Sequence, residues 1–162
     1  MLILIMGTAG SGKTTVGTEL ARQLGWPYID ADDFHSVANV EKMRGGTALS
    51  DEDRRPWLEA LRREIDAVID SGGNAVLGCS AFRQSHREVL LRDGVQLVYL
   101  KGTPEMLRQR LLARTNHFAR EPVLNDQLAR LEEPEDALVI SIEASAAEIA
   151  SEIRSKLALA SA

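Results

Sequence analysis

Gly7-Thr8-Ala9-Gly10-Ser11-Gly12-Lys13-Thr14 decides the reading of this chain. It matches G-x-x-x-x-G-K-[ST] at every fixed position. The glycines let successive backbone N–H groups turn inward around an anion. A helix opening at the end of the loop adds its unpaired N–H groups and the positive end of its dipole. Lys13 can reach the outer phosphates of a nucleotide, and the Thr14 hydroxyl can ligate Mg²⁺. The phosphate-binding stretch is therefore Gly7, Thr8, Ala9, Gly10, Ser11, Gly12, Lys13, Thr14 and the adjoining Thr15.

The flanks meet the context this motif requires. Before it, Leu2 to Met6 is a continuous apolar run, as suits a strand buried on both faces of a parallel sheet. After it, Val16, Leu20 and Leu24 lie four apart on one helix face, and Gly25 is placed to end that helix. Further out, Pro27-Tyr28-Ile29 reads as a second strand, and Phe34 to Leu49 as irregular or weakly helical. Ser50 and Asp53 form a capping box for a helix burying Leu58, Leu61, Ile65 and Val68, stopped by Gly72-Gly73. Ala75-Val76-Leu77 is a third strand, Gln84 to about Arg92 a helix, and Val95 to Leu100 a fourth strand. Thr103-Pro104 starts the next helix, which puts Leu107 and Leu111 on one face and Arg110 and Arg114 on another. A polar, basic segment, Thr115 to Pro122, interrupts the pattern. Leu138-Val139-Ile140 is a fifth strand, and Ser145 with Glu148 caps a last helix carrying Ile149, Ile153 and Leu157.

Strands alternating with helices predict an α/β domain: a parallel sheet with helices on both faces. Ligands then bind at the carboxyl ends of the strands. Residues 1–162 read as a single domain, since roughly 100–200 residues is one domain's length. The net charge of −5 argues against a nucleic-acid partner, and no stretch approaches the ~20 apolar residues of a membrane span. One cysteine, Cys79, excludes an internal disulfide and fits a reducing compartment, so a soluble cytoplasmic domain is expected.

Two further features narrow the chemistry. The third strand runs into Gly78-Cys79-Ser80 without the Asp that usually follows such a strand in ATPase motors, and no N-K-x-D guanine motif occurs. A second metal carboxylate must come from Asp30 or Asp32. The cluster Asp30-Ala31-Asp32-Asp33 beyond strand two also suits a hydroxyl acceptor whose proton a carboxylate must take; equally, Asp commonly caps helices. Alternation along an extended segment would put Asp30 and Asp32 on one side, Asp30 toward Thr14 and the metal, Asp32 farther out. Arg83 and Arg87, four apart on the helix after strand three, can grip a carboxylate or form a solvated face. His35 can bond sugar hydroxyls or be an ordinary loop histidine. Trp57, Cys79 and Met43 read as packing.

The chain resembles the bacterial-type gluconate kinases, relatives in fold of shikimate kinase and adenylate kinase. The matching pieces are Gly7 to Thr14, Asp30 to His35, Asn39-Val40-Glu41-Lys42-Met43, Leu49 to Leu58, Cys79-Ser80-Ala81, Tyr99 to Gly102, and Arg114 through His117-Phe118. The N-x-E-K-M and D-R-x-P-W-L segments carry most of the specificity. The resemblance implies a P-loop three-layer fold with a five-stranded parallel sheet in the order 2-3-1-4-5, a lid at about 115–122, and often a homodimer. It implies transfer of phosphate from ATP, with Mg²⁺, to D-gluconate. Lys13, Asp32 and a lid arginine, Arg120, would be catalytic, and Arg110 and Arg114 would line the nucleotide. His35, Lys42, Arg54, Ser80, Arg83 and Arg87 would join Asp32 around the acceptor, with Asp30 and Thr14 at the metal. The chain departs from the family pattern at Phe82 to Glu88, which lacks a tyrosine, and at Asp126-Gln127, where the family often has Ser-Gln. Shikimate kinase is the nearest competing enzyme, but no Gly-Gly-Gly run follows strand three. A non-catalytic ATP-binding module is the reading from another class, and the intact Lys13, Thr14 and Asp32 argue against it.

Overall fold

In the computed structural model, residues 1–113 and 121–160 are described. The five strands are β1 (Leu2–Met6), β2 (Tyr28–Asp30), β3 (Ala75–Gly78), β4 (Val95–Lys101) and β5 (Leu138–Ser141). They form one sheet in the order β2-β3-β1-β4-β5, every pair parallel. β1 is central because it is apolar on both faces: all five of its residues are wholly buried. It pairs Leu4 with Leu77 on β3 and with Leu97 on β4.

Strand periodicity divides the core in two. Ile3 and Ile5 face one layer, with Val16 and Leu20 of α1 (Lys13–Leu24), Leu107 and Leu111 of α5 (Pro104–Leu112), and Ile149 and Ile153 of α7 (Ala146–Lys156). Leu2, Leu4 and Met6 face the other, with Trp57, Leu61 and Ile65 of α3 (Asp51–Asp70) and Leu90 of α4 (Gln84–Leu90). The expected caps are present. Gly25 ends α1 in the left-handed region at φ 66°, Ser50 with Asp53 and Ser145 with Glu148 close reciprocal capping boxes, and the Thr103 hydroxyl accepts from the Met106 N–H.

The structure corrects the sequence reading in several places. The residues after Asp30 are not extended: Ala31–Phe34 form a 3₁₀ turn, because the Asp30 carboxylate caps it by accepting from the Asp32 N–H at 3.0 Å. The alternation argument for Asp30 and Asp32 therefore fails. Within the stretch expected to be irregular or weakly helical, the helical alternative holds in part: Ser36 caps a helix, α2 (Val37–Arg44). Met43 on that helix is exposed rather than packed. α4 stops at Leu90, short of Arg92. A helix not foreseen, α6 (Glu121–Arg130), takes in the last two residues of the expected lid segment and drops Leu124 into the core. Arg114 and the rest of the lid segment, Thr115 to Arg120, lie outside the described residues.

Candidate active site

The phosphate loop sits between β1 and α1, at the carboxyl end of the sheet's central strand. Two of its glycines adopt a backbone that side chains rarely allow, Gly10 at φ 82° and Gly12 at φ 92°. A Cβ on Gly10 would also come within 2.7 Å of the Leu107 carbonyl of α5. Inside the loop the Ser11 N–H donates to the Thr8 carbonyl at 3.2 Å, and Thr8 and Ser11 are buried. The Lys13 ammonium donates to the same Thr8 carbonyl at 3.2 Å, which folds the side chain back over the loop's concave side.

A cavity of about 350 Å³ opens beside this loop, between α1, α5 and the start of α7. Gly10, Gly12, Thr15, Arg110, Ala113 and Ser145 are among its walls. The Arg110 guanidinium is held there by donating to the Ile142 carbonyl. Thr15 and Arg110 thus line one cavity with two glycines of the phosphate loop.

At the start of α1, the Thr14 hydroxyl is 3.5 Å from the Asp30 carboxylate at the end of β2. A hydroxyl and a carboxylate side by side are hard oxygen donors of the kind Mg²⁺ takes, so the residues present fit the cation the family implies. Among the described residues no three His, Cys, Asp or Glu side chains gather as a metal cluster.

The acceptor wall faces the loop. Asp32 reaches solvent, yet the surrounding protein raises its pKa above the ordinary carboxylate value, and the Asp30 charge adds to this while His35 and Lys13 pull it back. The Lys13, Asp32 and Asp30 charges also all act on the Cys79 thiol at the end of β3, whose burial pushes it up to about 12. Cys79, fully buried, is an inert packing residue.

Beyond Asp32 the wall is aromatic and cationic. His35 stacks on Trp57, ring centroids 4.6 Å apart and planes within 9°. Trp57 is fixed in turn by donating its indole N–H to the Ala31 carbonyl at 2.7 Å. Burial lowers the His35 pKa, which favours the neutral imidazole. The Arg54 guanidinium lies over the Phe82 ring, 5.3 Å from its centroid. Burial also lowers the Arg54 pKa, and the positive charges of Arg130 and Arg83 nearby push the same way.

The remaining sequence candidates separate. Arg83 stands before α4 rather than on it and pairs with Asp51 at 3.0 Å. Arg87 is buried and donates to the Ala81 carbonyl at 3.0 Å, so it forms neither a solvated face nor a partner of Arg83. Ala81, which follows the half-buried Ser80, sits at φ 39°, a strained conformation for a residue with a side chain. Lys42 is drawn to Asp53 at 2.7 Å, tying α2 to the start of α3, and that bond holds the Asp53 carboxyl at about 2. His86 and Gln127 were not among the sequence candidates. His86 packs edge-on against Trp57 and Phe82, and the Gln127 side chain accepts from the Ala9 N–H. His86 carried no motif. Gln127 belonged to a helix the periodicity did not reveal.

A family model described as shikimate kinase matches residues 9–158. A probable gluconokinase of Xenopus tropicalis is 38% identical, covering 97% of this chain and 93% of that one. A gluconokinase of Gluconobacter oxydans is 42% identical, with 83% of this chain and 76% of that one covered. Among solved structures, a gluconokinase from Sinorhizobium meliloti superposes with a TM-score of 0.86 at 35% identity, covering 96% of this chain and 90% of that one.

Proposed function

The chain belongs to the gluconokinases, within the shikimate-kinase family of P-loop kinases, and from that premise we propose that it phosphorylates the 6-hydroxyl of D-gluconate with Mg²⁺-ATP. The observation that carries the reading is the placing of Asp32. The charges of Lys13 and His35 both reach its carboxylate; His35 stacks on Trp57, and Arg54, from the same sequence-predicted acceptor set, lies over Phe82. A small polyhydroxy acid fits that set of groups: a hydroxyl toward the phosphate loop, an acid end toward arginine.

The acceptor oxygen forms a bond to the terminal phosphorus, the bond between that phosphorus and the ADP oxygen breaks, and the hydroxyl proton passes to Asp32. The transfer is largely dissociative, so Asp32 has mainly to orient the oxygen and take a late proton. The raised pKa suits a proton acceptor. Lys13 and the loop N–H groups hold the outer phosphates and offset the charge that develops on them. Thr14 and Asp30 would hold the Mg²⁺, which supplies charge neutralisation between the phosphates. Neutral His35 can both donate to and accept from acceptor hydroxyls. Arg54, Ser80 and Arg83 are proposed to line the acceptor, Arg83 by exchanging its Asp51 partner for the acid. Lys42 and Arg87 act from behind, holding α2 and the Ser80 loop. Thr15 and Arg110 are assigned to the nucleoside side. Arg114 against the adenine and Arg120 at the transferring phosphate belong to the same proposal. A cytoplasmic location belongs to it too, supported by the single, buried cysteine.

The test is ADP release measured across D-gluconate, other sugar acids and shikimate. Preference for D-gluconate supports the reading. Preference for shikimate, or tight ATP binding with no turnover on any acceptor, overturns it.

A further inference from the structure

The Thr8–Ala9 peptide unit of the phosphate loop is held from both edges. Its carbonyl accepts from the Lys13 ammonium at 3.2 Å, and its N–H donates to Gln127 Oε1 at 2.7 Å. The peptide is trans, so the two groups point in opposite directions. Lys13 and Gln127 therefore grip opposite edges of one rigid plane. The assignment of the glutamine amide is unambiguous. A backbone N–H can only donate, so the side-chain atom facing it must be the oxygen. Gln127 is carried by α6, which Leu124 seats in the core beside Leu107 and Leu111 of α5.

We propose that Gln127 is a positioning residue for Lys13: it fixes the Thr8–Ala9 plane so that the Thr8 carbonyl stays aimed at the ammonium. The Thr8 carbonyl then acts as a fixed acceptor that keeps the lysine over the concave side of the loop, where phosphates bind. Without Gln127 the Ala9 N–H loses its acceptor in a part-buried place, and the plane can rotate to find another. Rotation would swing the Thr8 carbonyl off Lys13. A carbonyl turned into the anion site would also repel phosphate.

This rests on the phosphate-loop reading above but not on the identity of the acceptor. The test therefore measures Mg²⁺-ATP affinity by calorimetry with no acceptor present, for the wild-type chain, Gln127→Leu and Gln127→Glu. Gln127→Leu keeps the bulk and removes the acceptor oxygen, and Gln127→Glu keeps an acceptor oxygen. Gln127→Leu is expected to weaken ATP binding about 5- to 100-fold, the range for a buried donor left without its partner. Gln127→Glu restores the acceptor oxygen but sets a carboxylate beside the anion site, so its rescue is read at the Ala9 amide rather than in ATP affinity. The Ala9 amide resonance should lose its hydrogen-bonded shift in Gln127→Leu and regain it in Gln127→Glu. In turnover assays the loss should fall on kcat/KM for ATP, with KM for the acceptor unchanged, which a general loss of packing would not produce. If Gln127→Leu does not fold, Gln127→Met carries the same comparison. Wild-type ATP affinity in the leucine variant, or an Ala9 amide resonance unchanged in it, overturns the proposal. A wild-type chain inert toward gluconate would count against the proposed acceptor and leave this test standing.

Discussion

The two walls of the crevice are made of different material. The nucleotide wall is mostly main chain: loop N–H groups, two glycines at positive φ, and a helix start, with Lys13 as the charged arm at the loop and Arg110 beside it in the adjoining cavity. The acceptor wall is mostly side chain, and its parts come from far apart. They are Asp32 and His35 after β2, Arg54 and Trp57 on α3, and Phe82 and Arg83 between β3 and α4. A main-chain wall recognises what all nucleotides share and leaves substitution little to retune. A side-chain wall can be changed residue by residue, and so holds the choice of acceptor.

The largest expected effect strikes the charged side chain that the phosphate loop itself carries. Lys13→Ala should cut turnover by at least about 10⁴-fold, from lost charge stabilisation and lost positioning together, while circular dichroism and thermal melting stay near wild type. Appreciable residual turnover would mean that the backbone alone does the work of that wall.

On the acceptor wall, Asp32→Asn should lower kcat about 10²- to 10⁴-fold with ATP affinity little changed. Asp30→Asn should instead raise the Mg²⁺ concentration needed for activity. The sign for stability follows from the raised Asp32 pKa. Its contribution is full below the ordinary carboxylate range and lost as pH rises through the folded-state value, so at neutral pH the ionised group burdens the fold. Asp32→Asn should therefore melt at a higher temperature than wild type at pH 7 while being nearly inactive. A lower melting temperature would place Asp32 in a structural role.

The floor shared by both walls gives a smaller effect. A Cβ on Gly78 would lie 2.3 Å from the Tyr28 hydroxyl oxygen, so Gly78→Ala should cost about 1–3 kcal/mol in denaturant unfolding. Adding Tyr28→Phe should recover part of that cost by removing the oxygen. Full additivity of the two changes would show that the hydroxyl is not the obstacle.

The smallest effect is electrostatic and belongs to the acceptor wall alone. Burial, with Arg54 and Arg83 nearby, lowers the His86 pKa from 6.5 to about 4, opposed by Asp51 and Glu132. Its contribution to stability is present above 6.5 and lost as pH falls toward about 4. His86→Phe should flatten the decline of melting temperature in that window. An unchanged slope would assign the acid sensitivity to other groups, His35 first.

The same division explains what could be read from sequence. The phosphate loop was legible because its geometry is local: eight consecutive residues contain the whole cradle. The strands and helix caps were legible for a related reason, since burial periodicity and N-cap chemistry act over short range; the strand order is a long-range property and came only with the family resemblance. The 3₁₀ turn after β2 was misread because alternation was applied past Asp30, although an Asp followed two residues later by a free N–H is itself a turn signal. Helix α6 was passed over because it follows a segment without apolar period, though Leu124, Leu128 and Leu131 carry helical spacing. The burial of Arg87 was not legible at all. Nothing local to α4 says that its guanidinium will turn inward to a strained carbonyl at Ala81.

Trp57, nearly fully buried, holds His35 flat against its indole. The same stack is an optical reporter. The chain has two tryptophans, and Trp26 lies elsewhere, in the turn between α1 and β2. Trp26→Phe would leave one emitter in direct contact with the acceptor wall. An imidazolium quenches indole emission more strongly than a neutral imidazole does. The emission of that single tryptophan would therefore report the charge on His35 as pH falls, and any acceptor that displaces or hydrogen-bonds the ring, without an added label or a coupled assay.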